Sequence, residues 1–305
     1  MIGTQIALLK REIWEYRSIY VTPIAVAIAV SLISLAAIVT VSAFDTEVHL
    51  AILSAANIAG DAERQAALTV YFVGTSWIFL VALGILTIFY SLDSLYSERK
   101  DKSILFWRSL PVTDSETVIS KLVMAIFVIP LVTVGVIILT NIVNLVITSI
   151  WIAIQGGDAG HMVWGSVALL DNWIAALVFT IASALWMSPF IGWFLFVSTV
   201  TKRAPLLMAF MPLILIPIIE WIFFRSKVFV DAVVDRGDLN PLLRGMDIEE
   251  LFDEDRMQVN EELISLLGRL DIVQFLGSPS LWTGVVVCGL FTTAAIYVRR
   301  YRDES

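Results

Sequence analysis

Six stretches of this sequence are apolar for long enough to cross a bilayer, and that constrains the fold more than any motif in it. A hydrocarbon core about 30 Å thick requires about 20 consecutive apolar residues in a helix. The stretches cover residues 20–44, 70–92, 122–150, 173–200, 205–224 and 281–298. Lipid offers the backbone no hydrogen-bonding partner, so each stretch predicts a transmembrane helix and the whole predicts an all-α integral membrane protein. Composition agrees, with 58% hydrophobic and 16% charged residues against roughly 45–50% and about 25% in soluble domains. The first run contains the small residues Val41-Ser42-Ala43. It is far longer than the roughly 7–15 residues of a signal-peptide core, so a retained span is expected.

The spread of Lys and Arg then orients the bundle, because basic residues in short loops stay on the cytoplasmic side. Lys10, Arg11 and Arg17 precede the first run, and the 93–121 loop carries Arg99, Lys100, Lys102, Arg108 and Lys121. Lys202 and Arg203 occupy the turn before the fifth run, and Arg299, Arg300 and Arg302 follow the sixth. With six spans all of these fall on one face, which places both termini in the cytoplasm. The opposite loops hold only Arg64 over 45–69 and no Lys or Arg over 151–172. Most of the formal charge of -8 comes from one segment, 225–280, with twelve acidic and six basic residues. A length of that kind is weakly governed by the charge rule, and its sign speaks against a nucleic-acid reader.

The segments outside the runs are also patterned. Residues 1–19 place Ile6, Leu9, Ile13 and Ile19 near one helical stripe, with Lys10, Arg11 and Glu12 mostly elsewhere, as in an amphipathic helix lying at the inner interface. Residues 225–280 contain "DIEELFDEDR" and "VNEELISLLGRL", which predict an extracytoplasmic helical segment capping the bundle. Small residues recur four apart in the first run, Ala25 with Ala29 and Ala27 with Ser31, so another helix can approach it closely. Pro130, Pro189, Pro212 and Pro217 are expected kinks. Glu220 is the acid that stands out at membrane depth; it is either a translocation-path residue or a group that reaches the nearby interface beside Trp221. His49 and His161 have no partner at metal-ligand spacing, and Cys288 is alone in an apolar run, so neither a metal centre nor a disulfide is expected.

The 93–121 loop carries the most specific signal. "ERKDKSILFWRSLP", Glu98 to Pro111, sets Phe106 and Trp107 beside Arg108, a combination typical of buried contact anchors rather than of a solvated topology signal. Pro111 ends one helical piece, and Thr113-Asp114-Ser115-Glu116 has the form of a capping box that starts the next. Two short helices with a rigid elbow between them would pass displacement from a docked partner into the bundle.

The longer stretch "LYSERKDKSILFWRSLPVTDSETVISK", followed by an apolar span with an early proline, resembles the cytoplasmic loop of ABC-2 type permeases, the membrane subunits of ATP-binding-cassette exporters. The order of surface helix, six spans and an elaborated outer segment before the last span is similar to that family along nearly the whole chain. The resemblance implies a coupling helix between spans two and three, seated in a cleft of a separate ATPase subunit present in two copies. It also implies a permease dimer, with spans one and five near the interface and spans two and five lining the path, in a bacterial cytoplasmic (inner) membrane. Carried onto this sequence, Glu98, Arg99, Asp101, Phe106, Trp107, Arg108 and Pro111 are candidates for the ATPase contact. Lys10, Arg11 and Glu12 are a weaker second contact. The sequence contains no G-x-x-x-x-G-K-[ST] phosphate loop, so ATP and Mg would be bound by the partner and not by this chain.

The expected layout is therefore an interfacial helix over 1–19, spans one to five with the coupling loop over 20–224, the outer helical segment over 225–280, and the last span with its tail over 281–305. An accessory or sensor membrane protein that docks a cytoplasmic regulator is the alternative. A membrane-embedded hydrolase is disfavoured, because Glu220 has no second carboxylate at similar depth.

Overall fold

The computed structural model describes residues 2–44, 61–101, 112–165, 168–237, 242–243 and 265–301. Among them the chain is helical throughout, apart from turns and one isolated bridge between Leu243 and Leu270. Six helices are long and apolar enough to cross a membrane, in the order read from the sequence.

Helix α1 (Ile2–Glu15) is followed after a short turn by α2 (Ser18–Phe44). Helix α3 (Asp61–Lys100) has 40 residues, which at 1.5 Å per residue is about 60 Å, or twice the core thickness. The second apolar run is thus only its middle: the helix continues unbroken through Asp93 to Lys100, where a separate short piece was expected. The chain resumes at α4 (Asp114–Val123), which passes through a wide turn, Met124–Val128, into α5 (Ile129–Ile154). That turn has a physical cause in Pro130. Proline lacks an N–H and its ring presses on the carbonyl four residues back, and a wider turn just before it relieves both conflicts.

The fourth apolar run, expected as one span over 173–200, is divided into α6 (Leu169–Trp186) and α7 (Ser188–Val200). Pro189 sits in the first turn of α7; it has no N–H to offer the carbonyl four residues back and its ring presses on that carbonyl, so regular helix lapses at Met187 and restarts. Pro212 and Pro217, by contrast, lie inside an uninterrupted α8 (Pro205–Phe224). The short helices α9 (Val228–Val234) and α10 (Ile272–Gly277) precede α11 (Pro279–Tyr301). "DIEELFDEDR" and most of "VNEELISLLGRL" lie outside the described residues.

Helix α11 lies along α7, and α7 along α3. The approach of α11 to α7 depends on Gly192, where a Cβ would meet the Cys288 backbone at 3.0 Å. Ile19, Leu95, Met124, Ile129, Leu195 and Ala295 join helices α2, α3, α5, α7 and α11 in one core near the end of the bundle where α1, the last turn of α3 and the last turn of α11 meet. This is the terminal end of the bundle. The far end has its own cluster of Phe72, Leu145, Ile152, Met162 and Val163. Helices α2 and α8 sit at the periphery; Ala209 is the single buried residue of α8.

Candidate functional site: a buried charge cluster at the terminal end

Glu12 and Glu98 were expected to contact a partner, and Lys121 and Arg299 to mark the cytoplasmic face. The four instead meet inside the protein. Glu12 of α1, Glu98 of α3, Lys121 of α4 and Arg299 of α11 are each 5% exposed or less. Lys121 Nζ lies 2.9 Å from Glu12 Oε1 and 3.0 Å from Glu98 Oε1, bridging the two carboxylates. Arg299 Nη1 reaches Glu98 Oε2 at 2.8 Å, while its Nε reaches Asp114 Oδ1 at 2.9 Å. Arg11 adds a longer contact to Glu98 at 3.3 Å and a rim pair with Glu15 at 2.8 Å. The Tyr90 hydroxyl donates to Glu12 Oε2 at 2.9 Å, so each buried carboxylate is held through both oxygens.

The aromatic surroundings complete the site. Tyr16 meets Tyr90 edge-on with ring centroids 5.1 Å apart, and its hydroxyl shares a 2.7 Å hydrogen bond with Ser97. The Lys121 ammonium lies 5.9 Å from the Tyr16 ring centre. These rings exclude water from one side of the cluster and strengthen every charge interaction inside it. Removing one partner from such a set leaves an uncompensated buried charge at a cost of about 3–5 kcal/mol. The set is therefore better understood as fixing which helix ends meet than as a source of net stability.

Its placement matters because Glu98 closes the helix that leads into the 102–111 segment, and Asp114 and Lys121 belong to the helix that leads out of it. Both sides of that segment are thus fastened to each other, to α1 and to the last apolar helix. The way out is fixed further by the expected capping box: the Glu116 N–H donates to Thr113 Oγ1 at 3.2 Å, and the Thr113 N–H donates to Glu116 Oε2 at 2.9 Å. The way in is fixed by Arg99, whose Nη2 donates to the carbonyls of Ser198 and Thr201 at 2.5 and 2.8 Å. Ser198 Oγ accepts from the Leu95 and Tyr96 N–H groups.

The sequence-derived candidates separate accordingly. Glu98 and Arg99, read as partner contacts, are turned into the chain, as is Glu12. Lys10 and Asp101 are exposed, and Arg11 bridges the cluster and its rim. Phe106, Trp107, Arg108 and Pro111 lie outside the described residues. Glu220 is remote from this site. Its carboxylate accepts from the Ser226 hydroxyl and, at 3.0 Å, from the Phe229 N–H, so it caps the start of α9. Among the described residues no group of three or more His, Cys, Asp or Glu side chains is placed to hold a metal ion.

Lys121, Arg299, Asp114 and Tyr90 are the members that sequence reading missed. Lys121 and Arg299 had been read only as topology signals. The helical stripe on α1 was right in part: Leu9 and Ile13 pack against the core and Ile19 is buried in it, but Ile6 is 57% exposed, and Leu8 and Glu12 are buried instead. A usable signal was present, since Glu98, Lys121 and Arg299 each lie just beyond the end of an apolar run on the same expected face. Comparison with protein-family models, curated proteins and solved structures returns no match.

Proposed function

We propose that this chain is the membrane-spanning permease subunit of an ATP-driven exporter of the ABC-2 type, coupled to a separate ATPase. The observation that carries the reading is the cluster of Glu98, Lys121, Arg299 and Glu12 at the base of the 102–111 segment. A coupling element must be mounted stiffly, because a push on a loose loop is absorbed by the loop. Here both flanking helices are clamped to α1 and α11 by buried ion pairs, so a force applied to the segment is delivered to the bundle.

In this reading Glu98, Arg99 and Glu12 carry the load inward. The ATPase contacts Asp101, Phe106, Trp107, Arg108 and Pro111, with exposed Lys10 as a secondary contact on α1. The partner binds ATP and Mg, and its closure supplies the energy. The terminal end faces the cytoplasm, as the basic residues gathered there favour, and the chain resides in a bacterial cytoplasmic membrane. Exposed, apolar α2 and α8 offer surface for a second copy of the chain.

The test is to tag the chain in its native host, purify it in mild detergent, and identify what accompanies it by mass spectrometry. A stoichiometric protein with a phosphate loop and ATPase activity is the expected result. Arg108→Glu combined with Phe106→Ala should release that partner while leaving the membrane level of the chain unchanged. Recovery of the chain alone, repeated after gentle crosslinking, would overturn the permease reading in favour of an accessory or sensor protein.

A further inference from the structure

A cavity of about 430 Å³ lies among α7, α8, α9 and α11, within the roughly 300–1,000 Å³ usual for ligand sites. Trp193, Ile216, Val233, Val287 and Phe291 give it apolar walls, and Arg236 is the one charged residue that lines it. Arg236 is held in an unusual way. Its guanidinium stacks 4.6 Å from the centre of the Trp186 ring, Nη1 donates to the Trp186 carbonyl at 3.1 Å, and Nη2 donates to the Ser280 carbonyl. Trp186 Nε1 donates back to the Arg236 carbonyl at 3.0 Å. Gly284 makes the room, since a Cβ there would stand 2.6 Å from Nη1.

The side chain is thus fixed by neutral carbonyls and an aromatic face. Among the described residues no carboxylate pairs with it, and its remaining donors find no acceptor. A half-buried cation without a counter-charge is costly, and an arginine fork is suited to the oxygens of a phosphate. Its anchor Ser280 comes immediately before the apolar run 281–298, the depth at which a bilayer changes from headgroup to hydrocarbon. From Thr283 to Phe291 the cavity follows α11 into that run, about 12 Å of helix. A cation at the polar boundary and an apolar slot below it match one kind of molecule, an anionic lipid.

We propose that this cavity holds an acyl chain of an anionic phospholipid from the surrounding bilayer, with the lipid phosphate paired to Arg236. The inference rests only on the chain lying in a membrane, so it stands or falls separately from the transport reading.

The test uses the full chain in vesicles of phosphatidylcholine and phosphatidylglycerol, doped with phosphatidylglycerol carrying a photoactivatable diazirine near the end of one acyl chain. Adducts are mapped by mass spectrometry. They are expected on the α7, α9 and α11 peptides that line the cavity. Ala232→Trp, which fills the cavity without altering Arg236, should lower them roughly tenfold. Arg236→Gln should lower them roughly tenfold or more, as expected when a charge-assisted hydrogen bond is lost, and Arg236→Lys should restore part of the signal. A diacylglycerol probe with the same acyl chains, lacking the phosphate, should label these peptides about tenfold less. Labelling that is unchanged by Ala232→Trp, equal for the two probes, or confined to the outer faces of α2 and α8 would overturn the proposal.

Discussion

The two ends of the bundle bury polar groups in opposite ways. At the terminal end Glu12, Glu98, Lys121 and Arg299 are charged, come from four helices, and each is paired. At the far end Asn144 and Asn172 are neutral, 2% and 5% exposed, and their side-chain amides have no partner among the described residues. Helices α3, α5 and α6 are joined there by apolar contacts such as Phe72 against Leu145 and Ile152. Apolar contacts have no direction and can slide, whereas a bridged set of ion pairs has one satisfied arrangement. One end is therefore pinned by ion pairs, while the packing of α3 on α5 at the other rests on apolar contacts that can repack.

The largest test of this contrast is Glu98→Gln. It removes the carboxylate that joins Lys121 to Arg299, and we expect the chain to lose about 3–5 kcal/mol of stability in denaturant titrations in detergent. A loss below about 1 kcal/mol would remove the distinction between the ends. Thr113→Ala deletes the capping box at the start of α4 and should cost about 1 kcal/mol by the same measurement. It should also raise amide exchange in Asp114–Val123 while leaving α5 unchanged. Asn144→Leu should have the smallest effect and the opposite sign, between neutral and about 1 kcal/mol stabilising, because it replaces an unsatisfied buried amide with a side chain of similar shape. A clear destabilisation would mean that the amide is satisfied in the membrane, and that the far end is pinned as well.

The sequence carried the spans because apolar length is a local property: six helices long and apolar enough to cross a membrane stand at the six expected places, although the fourth covers only part of its run. It also carried the capping box, since Thr113 and Glu116 are only three residues apart. The division of the fourth run was less visible. Pro189 marks it, but Pro212 and Pro217 in α8 show that a proline alone does not decide, and what separates the cases is packing that no single segment encodes. The charge cluster was the least legible part. Glu98 lies 87 residues along the chain from Arg11 and 201 from Arg299, and periodicity within one helix says nothing about which ends will meet. Glu12 was read as a partner contact for the same reason, because a carboxylate reads as surface until its lysine is found.

The pinned end is the central claim, and a double-mutant cycle on Glu98 and Arg299 tests it most directly. Glu98→Gln, Arg299→Gln and the double variant would be compared with the parent chain by unfolding in one detergent. The account predicts a coupling energy of about 1.5 kcal/mol or more, since both side chains are buried and their contact is 2.8 Å. Additivity of the two single effects to within about 0.5 kcal/mol would contradict it, because groups that do not sense each other cannot fasten one helix to another.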